Sequence, residues 1–421
     1  MPAGIDWFSP ELIEIIAEHL GGDDILNLRL STRYFRDNSL TVFISRFFRR
    51  RVHLLSQHSL SALLDISRHP LFGPSINTVV ISPDHLRPVR QHDELLSLPY
   101  WYWDPDSRGA KEREEYEKRI DEQNYLRLTG LDTAYLTRVF RHATNCRSVF
   151  LDDRHQPWGA AIIKRETGLY PSSCIESDYS ESYLKKAVHT VLAAMTASEV
   201  PITTFAINNG NERLHVHPKM LLPPAFYLDH VPWVATLSML QLVLNPGYED
   251  VPQVWSKPLG EFIMLFPKLE CLDLYFDTRV EQPNFNALAQ AIHLPRLRIL
   301  KLAGINCLPE DLLMIFNNHR NTLREISLNI VGISSMTGGS WETLLAKIRD
   351  RFQITRFKMM QCDADGSDLC FEEYNVDRSF AIDLKGGDPR LLDRLINGIK
   401  KGPTRNEARN FVLDTISMDN N

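Results

Sequence analysis

Apolar residues in the first fifty positions recur at helical spacing. Leu12, Ile15, Ile16 and Leu20 make one stripe, and Ser9-Pro10-Glu11 ahead of them reads as a helix start. Ser9 stands at the N-cap, Pro10 at N1 where its missing N–H costs nothing, and an acid follows in the first turn. Phe8 and Ile13 are placed for a hydrophobic staple, and Gly21-Gly22 for the helix stop. Asp23 or Asp24 then caps a second short helix carrying Ile25, Leu26, Leu28 and Leu30, and Ser31-Thr32 opens a third through Arg33, Tyr34 and Phe35. Three such helices bury little surface by themselves, so some of their apolar groups are left to cover another surface.

The C-terminal half follows a different rhythm. The pattern apolar-x-x-apolar-x-apolar recurs in Leu237/Leu240/Leu242, Leu269/Leu272/Leu274, Leu297/Leu300/Leu302, Leu323/Ile326/Leu328 and Ile354/Phe357/Met359, at intervals of 32, 28, 26 and 31 residues. Helical stretches such as Phe285–Ile292 and Asp311–Phe316 lie between them. One strand, one loop and one helix per unit predicts an irregular leucine-rich-repeat-like solenoid, because each unit must stack on a neighbour to bury its apolar side. Weaker copies upstream are Ile76/Val79/Ile81, Cys146/Val149/Leu151 and Ile202/Phe205/Ile207. Strand alternation places Gln241, Asp273, Tyr275, Lys301, Asn329 and Lys358 on the opposite, inner face, where their mixed polarity suits a protein target.

The longer gaps predict insertions near 84–130 and 152–185. The first holds four adjacent aromatics, Tyr100 to Trp103, which either form a ligand or peptide platform or pin the insertion to the solenoid. A charged helix, Lys111 to Tyr125, follows, supported by the i,i+4 pairs Glu114/Lys118 and Glu115/Arg119. The second insertion, Ser/Tyr/acid-rich from Ser172 to Tyr183, reads as a mobile loop. A short helix from Ser59 to Ile66 closes at Pro70. Arg46, Arg49, Arg50 and Arg51 read as a solvated face beside a strand, and the residues from Gly402 onward as a polar tail after a helix ending near Lys400.

Composition narrows the class. Hydrophobic residues are 43% and charged residues 24% of the 421, which excludes wholesale disorder. The formal charge of −6 argues against a protein living on nucleic-acid phosphates. No run approaches a membrane span, and Met1 to Phe8 lacks the basic and apolar regions of a secretory signal. Six cysteines without paired short spacing fit reduced thiols, so a cytoplasmic or nuclear chain is expected.

Candidate chemistry is sparse. No phosphate loop, dinucleotide fingerprint, zincin motif or nucleophile elbow occurs. His215-Val-His217 could ligate a metal but has no neighbouring Cys or carboxylate cluster, and Cys362 and Cys370 lack a second pair. Gln361 to Glu372 places Asp363, Asp365, Gly366 and Glu372 at EF-hand spacing. Gln361 and Asp368 break the pattern, so a turn rich in acids is the better reading. No cofactor, no metal and no catalysis by this chain are expected.

The N-terminal residues Phe8-Ser-Pro-Glu-Leu-Ile-Glu-Ile-Ile-Ala-Glu-His-Leu20, followed by Asp24-Ile-Leu-Asn-Leu-Arg-Leu-Ser-Thr-Arg33, resemble an F-box. Phe8-Ser9 stands where Leu-Pro is usual, and Thr32 splits the usual Ser-Arg pair. The stretch Ser59 to Gly73 resembles the connector that follows this motif in many fungal F-box proteins. The resemblance implies an α/β chain with a three-helix F-box at 1–50, a connector at 51–75, the solenoid at 76–400 and a tail at 401–421. It further implies a substrate-recognition subunit of a Skp–cullin–F-box ubiquitin ligase. Phe8, Pro10, Leu12, Ile16, Leu20, Ile25, Leu28 and Arg33 would hold the Skp-type adaptor and through it a cullin, and the solenoid a protein target, with no nucleic acid or membrane partner. A leucine-rich-repeat scaffold with no ligase role is the alternative.

Overall fold

The computed structural model describes residues 8–88, 108–172, 178–208, 216–221, 232–246, 255–334, 340–371, 381–385, 393, 396 and 399–404. The chain divides into two compact units, Met1–Ile202 and Thr203–Asn421. That boundary differs from the expected ones, which set the first fifty residues apart from a single solenoid.

The first unit opens with four helices where three were expected. α1 (Pro10–His19) follows an extended Ser9 with Pro10 in its first turn, although Ser9 makes no side-chain capping bond. Gly21-Gly22 does not stop this helix; Leu20 is its C-cap, and Gly22 already begins α2 (Gly22–Ser31), with Asp23 and Asp24 inside the first turn. The last carbonyls of α1 are satisfied from a distance. The Arg46 guanidinium donates to Glu18 O at 3.0 Å and to Leu20 O. Thr32 caps α3 (Arg33–Asn38) by accepting from Phe35 N at 3.1 Å. α4 (Leu40–Phe47) closes a small core of Ala17, Ile25 and Val42, covered by Leu20, Leu28, Phe43 and Phe47.

The segment expected as a connector belongs to the sheet. β1 (Arg50–Leu54) pairs in parallel with β2 (Thr78–Ser82), and β2 with β3 (Ser148–Asp152). α5 (Gln57–Arg68) is the crossover between the first two strands. Val79 pairs with Val149 and Ile81 with Leu151, so the weaker apolar triplets hold their register. The first insertion supplies α6 (Arg108–Thr129), and α7 (Leu131–His142) follows it, while Tyr100–Trp103 lies outside the described residues. The segment read as a mobile loop instead contains α8 (Ala160–Thr167) and the start of α9 (Asp178–Ser198). Ala160 and Ile163 give α8 a buried face, which the polar Ser/Tyr stretch beside it conceals in the sequence.

The second unit carries the repeat. β4 (Thr204–Asn208) and α10 (Pro232–Thr236) lead into β5 (Met239–Leu244), α11 (Ser256–Met264), β6 (Cys271–Val280) and α12 (Gln282–Ala291). β7 (Ile299–Cys307), α13 (Pro309–Asn318), β8 (Glu325–Ile333), α14 (Trp341–Arg351) and β9 (Arg356–Met360) continue it. The strands are parallel, and the apolar positions meet across every pair. Phe205, Leu240, Leu272, Leu300, Ile326 and Phe357 form one row; Ile207, Leu242, Leu274, Leu302, Leu328 and Met359 form the next. All twelve are buried beneath the helices, so each unit closes its apolar side only by stacking. This is a leucine-rich-repeat-like solenoid of alternating strands and helices.

Its C-terminal end turns antiparallel. β10 (Asp363–Ala364) and β11 (Ser367–Phe371) form a hairpin whose two loop residues, Asp365 and Gly366, both have positive φ, as the tight Asp-Gly hairpin turn requires. The acid-rich segment with EF-hand spacing is therefore a turn, and Asp363 is tied to Arg279 at 2.5 Å. β12 (Ala381–Lys385) pairs with β9 and β13 (Ile399–Thr404) with β11. A strand thus occupies the stretch where a helix end and loose tail were expected.

Candidate interaction surfaces

α1 and α2 divide their apolar residues between two faces. Ile13 and Ala17 point inward from α1 and Ile25 from α2, one helical turn apart in the first case. Phe8, Leu12, Ile15 and Ile16 are each exposed by about half on the other face, as is Leu26, and Leu30 is 84% exposed. Of the residues expected to hold a partner, Phe8, Pro10, Leu12, Ile16 and Arg33 are exposed. Leu20 and Leu28 are half-buried against the small core. Ile25 is fully buried and belongs to the core, which corrects its assignment to the surface. Ile15, Leu26 and Leu30 were missed there, although the i,i+4 pair Leu26/Leu30 signals a second stripe on α2.

The neighbouring arginines are not simply a solvated face. Arg46 caps α1, Arg51 donates to Phe47 O at 2.7 Å, and Arg50 lies 3.5 Å from the buried carboxylate of Asp152, which Arg154 also holds at 2.6 Å. Arg49 is exposed.

In the second unit the residues expected on the inner strand face do share it. Ala206, Gln241, Asp273, Lys301, Ser327 and Lys358 form one row across the strands, and Val243, Tyr275, Ala303, Asn329 and Met360 the adjacent one. The six predicted residues are half-buried, in contrast to the fully buried rows beneath the helices. Lys301 donates to Asp273 at 3.2 Å across β6 and β7. Burial raises the Asp273 carboxyl above its ordinary value, and the Lys301 ammonium opposes that shift. A partner reaching this face meets a polar strip flanked by an aromatic ring.

No family model matches the chain, and no curated protein matches it. Among solved structures the chain is similar to the leucine-rich repeat-containing protein LegL7 from Legionella pneumophila. Identity is 13% over 84% of this chain and 99% of that one, at a TM-score of 0.27. The strand ladder itself defines the solenoid here.

Other candidate chemistry stays apart from these surfaces. His217 bonds Pro246 O and Lys219 N through its two ring nitrogens, and His215 lies outside the described residues. Among the described residues no group of three or more His, Cys, Asp or Glu could hold a metal ion, and no helix is long and apolar enough to cross a membrane.

Proposed function

We propose that this chain is a protein-interaction solenoid serving as the substrate-recognition subunit of a Skp–cullin–F-box ubiquitin ligase. The observation that carries this reading is the exposed apolar stripe of Phe8, Leu12, Ile15, Ile16, Leu26 and Leu30. A helical cap on the downstream sheet would bury those side chains. Several large apolar side chains left in water on two successive helices suit a docking face. The resemblance of its residues to an F-box names the occupant as a Skp-type adaptor. The chain contributes no transfer chemistry in this reading. It binds a target on the strand face of the second unit and raises the effective concentration of the target's lysines near a ubiquitin-charged enzyme held elsewhere in the assembly.

The test is co-purification of the full-length chain with a Skp-type adaptor, alongside a Pro10→Ala/Leu12→Ala double variant. A stoichiometric complex that the folded variant loses supports the ligase role; buried apolar anchors of this kind cost about 2 kcal/mol or more each when truncated. Folded wild-type chain that forms no complex overturns it and leaves a repeat scaffold with no ligase role.

A further inference from the structure

The first unit encloses a cavity of about 80 Å³ where the carboxyl ends of β1 and β2 meet α6, α8 and α9. Its charged lining is already engaged within the protein. Arg119 holds Glu122 at 2.8 Å and Glu166 at 2.7 Å, and Asp84 accepts from Ser82 Oγ at 2.9 Å. Tyr183 forms part of that lining and also borders a smaller cleft between α6, α7 and α9, together with Arg127, Lys186 and Asp132. The cations of this second cleft are differently placed.

Arg127, near the end of α6, is half-buried, and its guanidinium lies over the Tyr179 ring, 5.4 Å from the centroid. Its Nη1 donates to the Ser182 hydroxyl at 3.5 Å, a long bond that an uncharged oxygen leaves weak. Ser182 is exposed in the second turn of α9. Lys185 and Lys186 follow it at i+3 and i+4, the spacings that bring side chains onto one face of a helix. Among the described residues none of these three cations is in an ion pair. The two carboxylates at hand do not serve them. Asp132 accepts from Thr133 N at 2.7 Å and from Thr190 Oγ1 at 3.0 Å, and Glu181 stands exposed beside Ser182 without an ion pair. Three unpaired cations therefore surround one exposed hydroxyl.

A neutral alcohol makes little use of such a setting, whereas a phosphate on the same oxygen adds a charge of about −1.5 to −2 and three strong acceptors. We infer that Ser182 is a phosphorylation site and that Arg127, Lys185 and Lys186 hold its phosphate. The phosphoryl group comes from a nucleoside triphosphate on a protein kinase. The bond from Ser182 Oγ to the γ-phosphorus forms, and the bond from that phosphorus to the β,γ-bridging oxygen breaks. The hydroxyl proton passes to the kinase's base, and the nucleoside diphosphate leaves. In the unmodified chain α6 and α9 are joined here by neutral bonds of Tyr179 Oη, which accepts from Gln123 Nε2 and donates to Asn124 Oδ1, both at 2.9 Å. The phosphate adds a charge-assisted bridge beside them and holds the end of α6 against α9. The inference does not depend on the ligase reading, because neither the stripe on α1 and α2 nor an adaptor enters it.

The test has two arms. Full-length chain isolated from its own cells with phosphatases inhibited is mapped by peptide mass spectrometry, where Ser182 is expected to carry phosphate. Full-length chain made with phosphoserine in place of Ser182 is then titrated by ³¹P NMR. The second ionisation of its phosphate is expected to fall by about 0.5–1 from the ordinary value of about 6, and Arg127→Gln and Lys186→Gln each to reverse about a third of that fall. Amide exchange over residues 124–129 is expected to slow about fivefold on phosphorylation, and Arg127→Gln to abolish the slowing. Ser182→Ala alters one exposed side chain and should keep the exchange pattern of the unmodified protein. A Ser182 without phosphate in those cells overturns the inference. If a phosphoserine peptide then perturbs the Arg127 resonances of the unmodified chain, the three cations are a docking site for a phosphorylated partner instead. An ionisation that does not fall, or a fall that survives Arg127→Gln and Lys186→Gln together, also overturns it.

Discussion

Gly304 of β7 and Ile330 of β8 stand side by side with left-handed backbones, at φ of +71° and +54°, between the paired residues Ala303–Asn329 and Ile305–Val331. Gln361, which follows Met360 opposite Asn329, repeats the conformation at φ +51°. Three successive strands thus bend at one level of the solenoid, and only one of them uses the residue that does so without strain. A Cβ built on Gly304 would lie 2.0 Å from Phe276 O. Gly304→Ala is therefore expected to cost about 2 kcal/mol or more in urea denaturation, from the clash and the strained φ together.

Ile330 gives the opposite expectation. A β-branched residue at positive φ carries about 1–3 kcal/mol of strain, which Ile330→Gly releases. Against that stand about 1 kcal/mol of lost half-burial and about 0.5–1 kcal/mol of glycine entropy. The substitution should be close to neutral in the same denaturation experiment. A loss as large as that of Gly304→Ala would mean that Ile330 carries no strain.

The two apolar faces of α1 and α2 separate stability from recognition. Ile25→Ala opens a cavity in a core that has few other members, and is expected to cost about 2–4 kcal/mol in the local opening of residues 10–47, read by hydrogen exchange. Leu12→Ala removes a half-exposed side chain and should change protection of the same segment by less than about 0.5 kcal/mol. Equal losses would place Leu12 in the core.

How far the chain is legible follows from where its apolar residues stand. The rows through Leu240, Leu272, Leu300, Ile326 and Phe357 were readable because every unit repeats the same spacing. A strand beside Arg49, Arg50 and Arg51 was expected, but not its place in the ladder, because Arg51 and His53 occupy the places that Val79 and Ile81 hold in the next strand. A bond to α5 replaces apolar contact there, and no template of hydrophobic positions finds it. The end of α1 was misread for a similar reason, since its cap is Arg46, 26 residues from Leu20. The cavity was invisible in sequence. Its lining runs from Leu54 to Tyr183, and Glu166 looks like an ordinary acid on a solvated helix face until the fold brings it to Arg119, 47 residues away in the chain.

The three buried thiols, Cys146, Cys307 and Cys362, should be inert while the chain is folded. Burial pushes Cys146 and Cys362 up to about 12 and Cys307 well above the ordinary thiol value. At pH 8 the thiolate fraction of a group titrating near 12 is on the order of 10⁻⁴, and the thiolate is the species that reacts. Iodoacetamide followed by mass spectrometry should leave these three unmodified in native protein and label them fully in denaturant. Rapid native labelling of Cys362 would contradict the packing of β9 and β10.

Acid should loosen the first unit before the carboxylates of an ordinary surface titrate. His53 is enclosed between β1 and α5, where the accepting carbonyl of Ser59, 3.0 Å from Nδ1, requires the ring proton on that nitrogen; Arg51 Nε faces Nε2 at 3.4 Å. His85 is locked in the same sense, donating from Nδ1 to Pro83 O and accepting at Nε2 from Ser180. Burial, reinforced by the charge of Arg51, lowers His53 to about 3; burial, with Arg87 and Arg127 nearby, lowers His85 to about 4. Above the unfolded value of about 6.5 both rings are neutral in either state and contribute fully. As pH falls below that value the unfolded chain binds protons that the folded chain refuses, so stability falls with pH until the folded rings themselves titrate. The expected slope is about 1.4 kcal/mol per pH unit for each histidine between roughly pH 6 and pH 4. Urea denaturation across that range should show it, and His53→Gln/His85→Gln should flatten it whatever the double variant costs at pH 7. An unchanged slope would mean that neither ring is held neutral by its surroundings.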